Sequence, residues 1–163
     1  MDGAALALLW IASFACYVRS MVTPSLGVLS ILLALFTPIL LVRRLRRFRD
    51  YGREGVISFL RAWVYGILMF FYAGLLFALV QYVYLAFLDH GFLLEHFQRI
   101  MSDPENVRMV SQMGLESTMR ESLAQMEQMR PIDLALNVLA SNIMIGVAVS
   151  MPVAAAMARK VRP

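Results

Sequence analysis

Four stretches of this 163-residue chain are apolar, long and free of ionisable residues in their middles: residues 3–18, 22–42, 62–88 and 132–158. That pattern narrows the possible folds more than any other feature. A helix needs about 20 apolar residues to cross the ~30 Å hydrocarbon core of a bilayer. Inside that core every backbone N–H and C=O must find a partner within the protein, which leaves only helices or closed barrels. Barrel strands read as ten-residue alternations, whereas these runs are continuous. The expected fold is all-α, an integral membrane protein with four transmembrane helices forming a single membrane domain over residues 1–163. Composition agrees: 60% of residues are hydrophobic and 16% charged, where a soluble domain carries about 25% charged residues.

Orientation comes from the stretch between the second and third runs, RRLRRFRDYGREGVISFLR, which holds seven arginines against Asp50 and Glu54. Lys and Arg are retained on the cytoplasmic side, so Arg43–Arg61 is expected to form a cytoplasmic basic loop. Arg159, Lys160 and Arg162 close the fourth run on the same side. Four spans then place both termini in the cytoplasm and residues 89–131 outside. Arg43, Arg44, Arg46, Arg47, Arg49 and Arg61 are the candidates for contact with anionic lipid or a partner, since each arginine near an anionic surface contributes about 1 kcal/mol. The net charge of +4 is a topology signal here. A nucleic-acid partner is excluded, because its basic patch belongs on a soluble face.

The first run is short, about 24 Å at 1.5 Å per residue. A cleaved signal peptide would want a basic n-region, and Asp2 is the one charge before it; a retained span is expected, with a start further upstream as one explanation of its shortness. Pro38 frees the carbonyl of Ala34 and should bend the second helix, with Thr37 helping to satisfy the backbone. Val56–Leu60 should begin the third helix, with Trp63 and Tyr65 at the depth of an interfacial aromatic belt. Gly66 and Gly74 in the third run, and Asn142, Gly146, Ser150 and Ala154 at intervals of four in the last, give close-approach faces for helix packing. Asn137 and Asn142 are expected to hydrogen-bond to neighbouring helices. Pro152 adds a second kink.

Residues 89–131 are the hydrophilic part, with seven acids against four arginines. Asp103-Pro104-Glu105 reads as a helix start, with Asp at the N-cap and Pro at the first helical position. Leu115, Met119, Leu123 and Met126 share a helical face, Glu116 and Arg120 are an i,i+4 pair, and Gly114 should break the segment. Two short amphipathic helices on the outer side are expected. Thioethers bind Cu(I), and Met109/Met113 and Met126/Met129 lie near His90 and His96. There is no Met-Cys-His pattern, so the methionines read as an adaptable apolar surface, with no metal or other cofactor. Cys16 alone forms no disulfide framework.

No glycine-rich phosphate loop, H-E-x-x-H, G-x-S-x-G or nucleophile–base arrangement occurs, and the runs lack the mid-membrane ionisable groups of pumps. The chain reads as a non-enzymatic accessory or scaffold subunit, held to another membrane protein or to its own copies. The rival reading is a small oligomeric transporter, channel or lipid-handling protein whose path is lined by Gln81, Asn137, Ser141 and Asn142.

Phe48-Arg49-Asp50-Tyr51-Gly52, Gly55-Val56-Ile57-Ser58-Phe59 with Arg61, Ala62 and Gly66, then Gln81-Tyr82-Val83-Tyr84 with Phe87, Asp89 and Phe92, resemble a family of four-span membrane proteins common in Bacteroidota, a domain of unknown function. The resemblance covers roughly residues 20–160. It implies the fold and a bacterial inner membrane, and no activity.

Overall fold

The structure is a computed structural model that describes residues 1–52 and 55–158. Arg53 and Glu54 of the basic stretch and the basic tail Arg159, Lys160 and Arg162 lie outside the described residues. Seven helices are described: α1 (Asp2–Ser20), α2 (Ser25–Gly52), α3 (Phe59–Phe87), α4 (Phe92–Ser102), α5 (Pro104–Gln112), α6 (Glu116–Gln128) and α7 (Pro131–Met157), with no strand among the described residues. Helices α1, α2, α3 and α7 are long and apolar enough to cross a membrane. The chain divides into two compact units, residues 1–80 with 137–163, and residues 81–136. Helix α3 leaves the first unit and α7 returns to it.

The basic stretch departs from expectation. Arg43, Arg44, Arg46, Arg47 and Arg49 are not in a loop; α2 carries them as a continuous helix to Gly52. The reason lies in the apolar spacing. Leu41, Leu45 and Phe48 fall at +4 and +3, one helical face, and Leu41 and Leu45 are buried. The helix ends where Gly55, at φ +81°, turns the chain and donates its N–H to the Arg49 carbonyl at 3.1 Å, one of the acceptors left open at a helix C-terminus. Helix α3 begins at Phe59, three residues later than the expected start at Val56.

In the first unit, α1 and α2 form a hairpin tied by side chains. Ser13 Oγ donates to the Ser30 carbonyl and Ser30 Oγ to the Ser13 carbonyl, both at 2.9 Å. Trp10 Nε1 donates to Thr37 Oγ1 at 3.0 Å, so Thr37 beside Pro38 serves as an inter-helix acceptor. Such polar ties matter in hydrocarbon, where no hydrophobic force drives helices together.

Helix α3 is the one the others pack on. The larger core cluster joins Leu6 and Ala7 of α1, Leu41 of α2, and Met69, Phe70 and Ala73 of α3. Val149 and Val153 of α7 pack against it. A second cluster joins Leu45, Ile57, Ala62 and Ala154. Small residues make this approach possible. A Cβ on Gly146 of α7 would stand 2.5 Å from the Cβ of Phe70, one on Gly74 would stand 2.9 Å from Leu139 Cδ1, and one on Gly66 would overlap Ser150. The small-residue faces of α3 and α7 therefore meet each other within one chain. Trp63 Nε1 donates to the Val147 carbonyl at 3.2 Å, so this indole is turned toward α7.

In the second unit Asp89 makes the corner. Its buried carboxylate accepts from the Leu93 N–H at 3.2 Å, while its own N–H donates to the Tyr84 carbonyl at 2.9 Å. His90 at φ +47° and Gly91 at φ +84° turn the chain into α4. Asp103 caps α5 by accepting from the Glu105 N–H at 2.9 Å, with Pro104 at the first helical position. Gly114 at φ +67° breaks the segment, and Glu116 pairs with Arg120 at 2.9 Å. Three short helices stand where two were expected, because α4 ends separately at Ser102. They border a pocket of about 100 Å³ lined by Met101, Val107, Val110, Met119 and Leu123 among others. Arg130 forks onto Asp133 in the first turn of α7 at 2.9 and 3.1 Å. The carboxylate raises the guanidinium pKa from its ordinary value, and the acid also suits the helix N-terminus.

Replacing Gly146 or Gly66 by Leu should destabilise the first unit by about 1–3 kcal/mol through overpacking. Gly27→Ala, whose nearest neighbour would be Ser20 Cβ at 3.6 Å, should be tolerated. Thermal unfolding of the purified variants in one detergent checks the difference.

Candidate functional site at the basic end of the first unit

With Leu41, Leu45 and Phe48 turned inward, the helical repeat distributes the arginines of α2 around its remaining surface. Arg43, Arg46 and Arg47 are exposed and have no ion-pair partner among the described residues. Arg44 and Arg49 are different. Arg44 is half-buried and its Nη1 lies 3.1 Å from Asp2 Oδ1. Arg49 is buried at 8% exposure, with its Nε 2.7 Å from Asp50 Oδ1. A buried guanidinium without a counter-charge costs several kcal/mol, so the adjacent acid is what permits Arg49 to sit there. These two arginines belong to the architecture, and the other three are available.

Asp2 joins three helices. Its Oδ1 takes Arg44 of α2, and its Oδ2 accepts the hydroxyl of Tyr65 of α3 at 2.5 Å. The Tyr65 ring stacks on Phe48 with centroids 4.6 Å apart and planes at 21°. One carboxylate thus fixes the start of α1, the charged part of α2 and the first turns of α3. Nothing local in the sequence pointed to this node, since Asp2 and Tyr65 are 63 residues apart. Asp2 read as an isolated charge and Tyr65 as an aromatic-belt residue. The available signal was that an acid and an arginine each sat at the edge of an apolar run.

Beside the node lies a cleft of about 340 Å³ lined by Phe48 of α2 and Leu60, Arg61, Val64, Tyr65 and Leu68 of α3. Arg61 is exposed and has no ion-pair partner among the described residues. Of the six arginines singled out from sequence, four have no ion-pair partner among the described residues and two are held in ion pairs.

The packing residues resolve differently. Gly66, Gly146, Ser150 and Ala154 are buried in the contact between α3 and α7 or beside it, and Gly74 faces Leu139 and Asn142. Asn142 lines a second cavity of about 280 Å³ with Trp10, Ser13, Phe14, Ser30 and Phe77 among its walls. The Asn142 Nδ2 is buried without a hydrogen-bond partner among the described residues, as are Gln81 Oε1 and Ser150 Oγ. Asn137 and Ser141 are exposed and do not line that cavity. The expected inter-helix hydrogen bonds of Asn137 and Asn142 are absent among the described residues.

A family model described as "Protein of unknown function (DUF4199)" matches residues 2–159. The chain belongs to that family. No curated protein and no solved structure matches it. The DUF4199 match runs through both units, and the residues that carried the resemblance fall at its structural corners. Phe48 stacks on Tyr65, buried Ile57 and Ala62 form the second cluster, Gly66 receives Ser150, and Asp89 turns α3 into α4.

A double-mutant cycle tests the node. Asp2→Ala and Tyr65→Phe should each lower stability, and the double variant should lose less than their sum by about 0.5–3 kcal/mol, the range for residues in contact. Denaturation of the four proteins in the same detergent reads the coupling directly.

Proposed function

We propose that this DUF4199 protein is a non-enzymatic accessory or scaffold subunit of a complex in the bacterial inner membrane, with both termini cytoplasmic. One observation carries the proposal: no residue of α4, α5 or α6 is buried. Yet these helices hold exposed Phe92, Ile100, Val107 and Met109, with Met113 just after α5 and Leu115 just before α6. A segment with that much uncovered apolar surface and no buried side chain gains its stability from what covers it. Methionine suits such a surface because its flexible thioether adapts to a partner's shape. By the positive-inside rule, the arginines of α2 hold that end in the cytoplasm and leave residues 89–131 on the other side. The small-residue stripe of α7 does not provide the docking face, because α3 of the same chain already occupies it.

The open groove that Asn142 lines, beside its buried and unpartnered amide nitrogen, favours the second reading, a lipid-handling or transport role.

Affinity purification from the native membrane in mild detergent, with quantitative mass spectrometry, separates the two. The accessory reading expects a second membrane protein at near-stoichiometric yield. It expects Met113→Glu and Leu115→Glu, both at exposed positions, to lower that yield several-fold while the protein itself is recovered unchanged. Recovery of the protein alone, with Asn142→Leu altering flux in liposomes, favours the second reading.

A further inference from the structure

The cleft beside the Asp2 node is built for a particular kind of molecule. Its walls change character along α3. Arg61 stands at one end, and Val64, Tyr65 and Leu68 follow on the same helical face at +3, +4 and +7. From Arg61 to Leu68 the helix rises about 10 Å at 1.5 Å per residue. Arg61 lies in the first turn of a membrane-crossing helix and Leu68 one-third of the way along it. An occupant therefore meets a cation at the membrane boundary and apolar walls on the way inward. The floor is rigid: Tyr65 is held by its hydroxyl on Asp2 and by the Phe48 ring stacked against it.

We propose that this cleft is a binding site for an acidic phospholipid. An acyl chain lies along Leu60, Val64 and Leu68, and the phosphate meets the Arg61 guanidinium. Charge decides between acidic and zwitterionic lipid. Among the described residues, neither Arg61 nor Arg43, Arg46 and Arg47, on the same stretch of α2 that supplies Phe48, has an ion-pair partner. Guanidinium groups favour phosphate through paired N–H donors. Arg44 and Arg49 take no part, because Asp2 and Asp50 already hold them. The site is narrower than a general attraction of basic residues to membranes: it needs one arginine and one groove, and it is independent of the accessory reading above.

The test is native mass spectrometry of the full chain, delipidated in detergent and titrated with phosphatidylglycerol, with phosphatidylcholine of the same acyl chains, and with inorganic phosphate. Phosphatidylglycerol should bind more tightly than phosphatidylcholine. Arg61→Gln should weaken phosphatidylglycerol about fivefold, equivalent to ~1 kcal/mol for one arginine–lipid contact, and weaken phosphatidylcholine less, because its choline cation already offsets the charge of the phosphate. Leu68→Trp, at an exposed position, fills the groove and should weaken both lipids. Both positions are outside the core, so both variants should unfold at the wild-type temperature. Equal binding of the two lipids, undiminished phosphatidylglycerol binding by Arg61→Gln or by Leu68→Trp, or displacement of the lipid by inorganic phosphate alone would each overturn the proposal.

Discussion

The seating of Phe70 is the contact on which the rest of the first unit depends. Its ring is fully buried, it lies against the bare backbone of Gly146, and Trp10 meets it edge-on at 5.5 Å. In water such a ring would be driven inward by the hydrophobic effect. In hydrocarbon it is not, since lipid tails are as apolar as the protein interior. What remains is the fit, a large side chain on one helix facing an absent side chain on another. Three helices converge at that point. Leu6 and Ala7 of α1, and Leu41 of α2, complete the same cluster, so the position of α3 sets the position of its neighbours.

Polar groups supplement that fit where it is weakest. Between α1 and α2 the reciprocal Ser13–Ser30 bonds and the Trp10–Thr37 bond hold two helices whose outer faces are largely open to their surroundings. At the basic end, Asp2 gathers Arg44 and Tyr65. Burying a charge is unfavourable unless it is paired, and the chain applies that rule twice within six residues, at Arg44 and Arg49. Among the described residues, the same arrangement leaves Arg43, Arg46 and Arg47 without an ion-pair partner, so one short stretch separates structural cations from the others.

Much of this was legible in the sequence and some was not, for identifiable reasons. The four long helices follow from charge-free length alone. Asp103 with Pro104, and Gly114, were readable because capping and left-handed backbone depend on residues one to three positions away. The helical state of Arg43–Arg49 was missed because charge density suggested a loop, although Leu41, Leu45 and Phe48 kept a helical period beneath it. The stripe from Asn142 to Ala154 announced close packing without naming its partner, since small residues fit another helix of the same chain as readily as one from elsewhere. The Asp2–Tyr65 bond and the Phe48–Tyr65 stack had no local signal, because each joins positions brought together only by the hairpin and by α3.

The extension of α2 to Gly52 has a mechanical consequence. In a flexible loop, arginines sample many positions, and a partner or surface must pay to order them. On a helix their directions are set by the backbone, each residue turned about 100° from the last. The α2 arginines thus form a fixed angular pattern locked to the membrane-crossing part of the same helix. Inserting a single alanine between Val42 and Phe48 would leave every charge in place in the composition. It would still rotate the far ones by more than a quarter of a turn, sending Phe48 away from Tyr65 and a guanidinium toward it. At this end of the protein, phase along the helix carries information that a count of basic residues does not.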